Sequence, residues 1–230
     1  MTQDQQQMID APVLKLENLH YHIEGNQIVS ELSLSLNAGE ILCLLGASGC
    51  GKTAVLKLVA GLLKPNRGNI VIAGQCVEGK QFVPTQQRNI GFVFQDYALF
   101  PHLTVAENIS FGLNQQPKKQ QAERVKECLR LVDLQNYHER YPHELSGGQQ
   151  QRVAVARALA PKPKILLMDE PFSNIDCHLK SSIMEELRMI FKAQGVTVIF
   201  VTHSQQEAKT FADKVAEMES GTIKRALTVG

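Results

Sequence analysis

The chain has 230 residues, enough for one substantial core or two small ones. Its 43% hydrophobic and 20% charged residues match an ordinary globular protein, and no run approaches the ~18 apolar residues of a membrane span. A formal net charge of +1 gives no global attraction to nucleic acid or anionic lipid, so no nucleic-acid partner is expected. Five cysteines without a CxxC pair argue against a disulfide framework or a zinc site and for a reducing compartment.

Met1 to Gln7 is polar and Gln-rich and lacks the basic and apolar regions of a signal peptide; residues 1–12 read as a disordered tail, and a cytoplasmic chain is expected. From Val13 to Leu36, alternation such as Leu32, Leu34 and Leu36 predicts strands with one buried face. Four runs are apolar on both faces and β-rich: Ile41 to Leu45, Ile90 to Phe94, Ile165 to Met168 and Val196 to Val201. Such runs fit strands of a parallel sheet covered by helices on both faces. Between the second and third of them, Ala122, Val125, Leu129 and Val132 recur at helical spacing. The polar stretch Asn114 to Gln121, with Pro117 inside it, reads as a loop. The organisation expected is one unit over 13–230, with a core of 13–95 and 163–230 and a mostly helical insertion over 96–162.

The first chemical motif follows the strand that ends at Leu45. Gly46-Ala47-Ser48-Gly49-Cys50-Gly51-Lys52-Thr53 matches GxxxxGK[ST] in full and precedes a helical run that includes Ala54 to Ala60. Glycines let the backbone turn sharply so that several N–H groups converge on a phosphate, and the helix N-terminus adds positive partial charge. Lys52 is then placed to bridge the β- and γ-phosphates of ATP, and the Thr53 hydroxyl to ligate Mg²⁺. The second motif is Ile165-Leu166-Leu167-Met168-Asp169-Glu170, a buried strand delivering two acids at its C-terminal end, where open α/β sheets bind ligands. Asp169 is the expected magnesium ligand, and Glu170 the group that accepts a proton from the attacking water. A solvated acidic pair is the bland reading, and it is a poor one beside a complete phosphate loop.

A phosphate loop alone leaves kinases, GTPases, helicases and transporters open. Leu145-Ser146-Gly147-Gly148-Gln149 resembles the signature sequence of ABC-transporter ATPases. Ser146 is an N-cap residue type, and two glycines permit close approach of backbone to an anion. The resemblance implies that Ser146, Gly147, Gly148 and Gln149 cap the γ-phosphate of ATP held by a second copy of the chain. It also implies roles for Gln95 at Mg²⁺ or the lytic water, for Asp176 in a loop lining the dimer interface, and for His203 at the γ-phosphate. Asp176 reads equally well as the N-cap of a helix beginning near Cys177. An aromatic residue that stacks on adenine is expected upstream, near Ile23. Tyr21 is the candidate, with core packing as the competing reading.

The resemblance runs over Leu14 to Gly221 with every motif in the family's order. Its wording, including Arg140-Tyr141-Pro142-His143-Glu144-Leu145 and Asp169-Glu170-Pro171-Phe172-Ser173-Asn174, is similar to ATPases of bacterial ferric-iron importers, with spermidine/putrescine and sulfate importers close by. The fold so implied is α/β: a P-loop NTPase (RecA-like) core with a mostly parallel sheet, an antiparallel β edge and an inserted helical subdomain. The implied partners are a second copy, an integral-membrane permease on the inner face of the cell membrane and, indirectly, a periplasmic or lipid-anchored solute-binding protein. Many relatives continue into a C-terminal β-rich regulatory domain; this sequence stops at Gly230, so the expectation is that regulation through such a domain is absent or that the chain was shortened. The rival readings are a non-transport ABC ATPase acting on nucleic acid or ribosomes, and a nucleotide-binding regulator without turnover. The cluster Phe100, Pro101 and Leu103 reads either as a docking groove for a permease helix or as packing at the junction with the helical insertion.

Overall fold

The computed structural model describes residues 11–79 and 81–229. The expected tail therefore lies, except for Ala11 and Pro12, outside the described residues. The chain folds into two sheets with helices around and between them.

Strands β1 (Leu14–Ile23) and β2 (Asn26–Leu36) form a hairpin, and β4 (Arg67–Ile72) and β5 (Gln75–Glu78) a second one. Together they make a four-stranded antiparallel sheet in the order β2-β1-β4-β5. The alternation read from Val13 to Leu36 holds, but register shifts between Leu16 and Leu19 and again before His22 interrupt it. The antiparallel part is thus a complete sheet, larger than the expected edge.

The second sheet holds β3 (Ile41–Leu45), β6 (Ile90–Val93), β7 (Ile165–Asp169), β8 (Val198–Thr202), β9 (Lys214–Glu219) and β10 (Thr222–Thr228). Its order is β10-β9-β3-β8-β7-β6, parallel throughout except for the β9–β10 hairpin at one edge. Every residue of β3, β7 and β8 is buried, which is why these runs are apolar on both faces. The run ending at Val201 is not the final strand, because β9 and β10 follow it.

The helices are α1 (Lys52–Ala60), α2 (Val105–Ser110), α3 (Lys118–Leu131), α4 (Gly147–Leu159), α5 (Cys177–Ala193) and α6 (Gln205–Phe211). The loop expected through Gln121 ends earlier, because Pro117 is the N-cap of α3 and not a breaker. Its φ of −57° suits a helix entry, where a missing N–H costs nothing. Helix α5 ends on Gly195 at φ 62°, with Val196 N–H bonded to Phe191 O (2.9 Å) and Gly195 N–H to Lys192 O (3.2 Å), a Schellman cap.

Three apolar clusters hold these parts. One joins the antiparallel sheet to α1 and one face of the parallel sheet. A second packs α5, α6 and part of α4 on the opposite face. The third lies among α2, α3 and the outer face of α4. Helix α4 therefore shares two cores, presenting Ala154 and Val155 to the sheet and Val153 and Ala156 to the other helices.

Candidate active site

Register brings the site together. Leu45 pairs with Thr202, Asp169 with Val201, and Val93 with Met168, so four parallel strands end at one level. The loop after each strand carries one expected group: Gly46 onward after β3, Gln95 after β6, Glu170 after β7 and His203 after β8.

The phosphate loop is shaped by contacts that side chains would obstruct. A Cβ on Gly46 would strike the Met218 carbonyl and come within 2.7 Å of Cys50 Sγ. Gly51, at φ 103°, precedes α1, and no side chain caps that helix, so its first N–H groups are left for a ligand. Gly221 N–H donates to the Cys50 carbonyl (3.0 Å) and the Gly221 carbonyl accepts from Ser30 N–H (2.9 Å), anchoring the loop to both sheets. Ala54, in the first turn of α1, is partly buried against the first core.

Lys52 is 5% exposed and donates from Nζ to the carbonyls of Gly46 and Ala47, both at 2.8 Å. The ammonium thus lies folded across the loop. The Thr53 hydroxyl donates to Asp169 Oδ1 at 2.9 Å. Burial raises the Asp169 carboxyl above the usual range; the Thr53 hydrogen bond opposes this, and the Glu170 charge adds to it. A hydroxyl and a carboxylate, both hard oxygen donors, converge beside the phosphate loop, which is the donor chemistry a magnesium ion takes. These residues fit such an ion.

Glu170 sits in the left-handed region at φ 42°, and its carbonyl accepts from Ser173 N–H (3.2 Å) and Ser173 Oγ (3.0 Å). His203 Nδ1 stands 3.5 Å from Glu170 Oε2, with the imidazole 61% exposed. A base and a histidine therefore face each other at the mouth of the phosphate loop.

Above the loop is a cavity of about 660 Å³ lined by Gly46 through Cys50, His203, Gln205, Glu217, Met218, Glu219, Ser220 and Lys224. Ser146, Gly147, Gly148 and Gln149 are not among these residues. They form the start of α4, where Ser146 Oγ accepts from Gln149 N–H (3.4 Å) and Gln149 Oε1 from Ser146 N–H (3.0 Å). Gly147 lies against the Asn174 carbonyl, 2.9 Å from where a Cβ would stand. Asp176 caps α5, its Oδ1 accepting from His178 N–H at 2.9 Å, so the capping reading of this residue holds. The exposed Gln95 has its carbonyl bonded to Asn174 Nδ2 (2.9 Å).

Tyr21 requires correction. It is 8% exposed and packs in the first core cluster, which leaves no open ring face for a base. The β-bulge between Tyr21 and His22 breaks the alternation, and Ile23, 47% exposed, is the apolar side chain left at the surface there.

Two groups of residues escaped the sequence reading. Glu217, Glu219 and Lys224 line the cavity from the β9–β10 hairpin, which was not foreseen. Glu207 braces the turn bearing His203: it accepts from Thr202 Oγ1 (2.6 Å) and pairs with Lys180 (2.9 Å), while Ser204 Oγ accepts from Glu207 N–H (3.3 Å). Ser204-x-x-Glu207 has the spacing of a capping box and was visible in the sequence.

Comparison with known proteins agrees with this geometry. Residues 29–173 match the family model described as "ABC transporter". The chain is 45% identical to the Fe(3+) ions import ATP-binding protein FbpC of Haemophilus influenzae over 94% of its length. It is 44% identical to the spermidine/putrescine import ATP-binding protein PotA of Vibrio cholerae over 97%. It spans 62% and 59%, respectively, of those two relatives. A solved dimeric ATP-binding cassette in a post-hydrolysis state, bound to ADP and Pi, superposes with a TM-score of 0.81 at 31% identity, covering 94% of this chain and 99% of that one. The family model covers more than half of the chain, and the FbpC and PotA relatives are 45% and 44% identical to it, so this chain belongs to the ABC transporter family.

Proposed function

We propose that this chain is the ATP-hydrolysing subunit of an importer, working as a homodimer beneath an integral-membrane permease. The observation that carries the reading is the convergence of Lys52, the Thr53–Asp169 pair and the Glu170–His203 pair on one loop. ATP lies with its phosphates along Gly46 to Thr53. Lys52 leaves the carbonyls of Gly46 and Ala47 for the β- and γ-phosphates. Thr53 and Asp169 hold the accompanying magnesium ion, which supplies charge neutralisation at the phosphates. Glu170 takes the proton of the attacking water, and His203 holds the γ-phosphate side of that arrangement. Phosphoryl transfer depends mainly on positioning and charge, which matches a site without a covalent nucleophile.

The positive end still missing over the γ-phosphate comes from the N-terminus of α4 in the second copy, whose hydrogen-bond donors and partial positive charge are presented through Ser146, Gly147 and Gly148. Their absence from the lining of the chain's own cavity favours a site shared between chains. Asp176 belongs to the same contact region, and Gln95 serves Mg²⁺ or the lytic water. No helix of the described residues is long and apolar enough to cross a membrane. In this reading the chain docks from the cytoplasmic side on an integral-membrane permease, with a solute-binding protein beyond it. Ferric iron is the first candidate solute and polyamines the second, following the names of the relatives. Phosphate release from ATP by the purified chain, with and without magnesium, tests the reading. Lys52→Ala should abolish release together with ATP binding; an unchanged affinity would refute the phosphate-loop assignment.

A further inference from the structure

We propose that Arg157 is a positioning residue that acts through Gln95, tying the loop that carries Gln95 to the helix that begins at Ser146. The inference rests on the reading of Gln95 and Ser146 given above and adds a physical link between them. After β6 the chain passes Gln95 and Asp96 into Tyr97 and Ala98, whose φ values are 62° and 45°. Two successive residues with side chains in the left-handed region hold only where surroundings over-determine them. Arg157 supplies that: Nη2 donates to the Tyr97 carbonyl at 2.8 Å and Nη1 to the Ala98 carbonyl at 2.7 Å. The guanidinium also lies 5.6 Å from the centre of the Phe100 ring, and the Tyr97 side chain, 3% exposed, is packed in the core beside Ala154 and Ala158 of the same helix.

Arg157 stands in the last turn of α4, and Ser146 caps its first turn. Eleven residues of helix make a rod of about 17 Å. A displacement of the signature end therefore moves the fork, and the fork moves the carbonyls two and three residues from Gln95. Asn174 ties the same loop from the other side, through the Gln95 carbonyl, and its own carbonyl abuts Gly147. The loop is thus held at two points, both linked to the signature segment. A lysine in place of Arg157 keeps the charge but replaces the planar, fixed fork with a flexible point charge that does not hold both carbonyls in one geometry.

The test uses the full chain with Arg157→Lys. Amide hydrogen exchange over residues 95–99, without nucleotide, should speed up by roughly tenfold or more, because the loop opens locally. Affinity for MgATP should stay at the wild-type value while kcat falls by ~10²-fold, the cost of a misplaced group. The double variant Gln95→Ala/Arg157→Lys should turn over no more slowly than Gln95→Ala alone. Additive losses, or unchanged exchange at 95–99, would overturn the proposal. Should wild-type chain release no phosphate, the functional reading fails, and the exchange experiment still decides whether Arg157 holds the loop. If Arg157→Lys does not fold, Asn174→Ala, altered on an exposed turn, must speed exchange over the same residues; no change there also overturns it.

Discussion

Arg88→Met should be among the most damaging single substitutions in this chain, although Arg88 touches no nucleotide. The side chains of Arg88 and Glu78 are 0% and 4% exposed and meet at 2.7 Å. The guanidinium also donates to the carbonyls of Val83 (2.8 Å), Leu58 and Val59 (3.1 Å each) and Val77 (3.3 Å). Two of these carbonyls close the C-terminal end of α1, whose other end carries Lys52 and Thr53. Removing the cation strands a buried carboxylate and leaves four carbonyls one donor short. Breaking a buried pair costs about 3–5 kcal/mol, and the freed carbonyls place this case at the upper end. At ~2–4 °C per kcal/mol for a chain of this size, a loss of about 5 kcal/mol should lower Tm by roughly 10–20 °C. The chain has no Trp, so urea denaturation followed by far-UV circular dichroism is the suitable assay. Arg88→Met/Glu78→Gln should recover part of the loss, because the amide keeps the shape without the stranded charge. A single-variant loss below about 1 kcal/mol would refute the reasoning.

Glu170→Gln keeps the shape and removes the base, so phosphate release should fall by ~10²–10⁴-fold while MgATP still binds and holds two copies together; near-wild-type turnover would remove Glu170 from its role. Asp169→Asn should abolish magnesium-dependent release without destabilising the apo chain. Burial raises the folded-state pKa of Asp169 above its unfolded value, so ionised Asp169 opposes folding above that raised value, and the penalty vanishes as pH falls through it. The asparagine variant should therefore match or exceed wild type in Tm at neutral pH and lose that advantage in acid; the reverse trend would contradict the assignment. Phe100→Ser should uncouple transport and spare the ATPase activity of the isolated chain, Phe100 being half-buried beside the exposed Phe111, with ring centres 4.3 Å apart. Unfolding of that variant would instead show a packing role.

Much of the site was legible because its physics is local. A glycine-rich loop between an apolar run and a helix needs no distant partner to be read. Ser146 and Gln149 declare a capping box by spacing alone. The apolar strands were legible because helices cover both faces of β3, β7 and β8. What could not be read depended on tertiary context. The hairpins β4–β5 and β9–β10 are short, and their turns at Ala73-Gly74 and Ser220-Gly221 were overlooked; all four residues have positive φ, the signature of a two-residue hairpin turn. Tyr21 follows the strand period on paper, but a bulge changes what its ring faces. Pro117 signals a break or a beginning, and only the helix after it decides which. Arg88 and Arg157 spend their donors on carbonyls far away in sequence, so no motif announces them.

The claim that a second copy completes each site is tested most directly by mixing two inactive chains, Lys52→Ala and Ser146→Arg. In a mixed pair, one site combines an intact phosphate loop from one chain with an intact signature from the other, and the second site carries both lesions. Each variant alone should release no phosphate, and an equimolar mixture should recover up to about a quarter of wild-type activity, since random pairing makes half the dimers mixed with one competent site in each. Recovery at that level is the predicted result. No recovery in mixtures shown by cross-linking to contain mixed dimers, or full activity in a preparation shown to be monomeric, would contradict it.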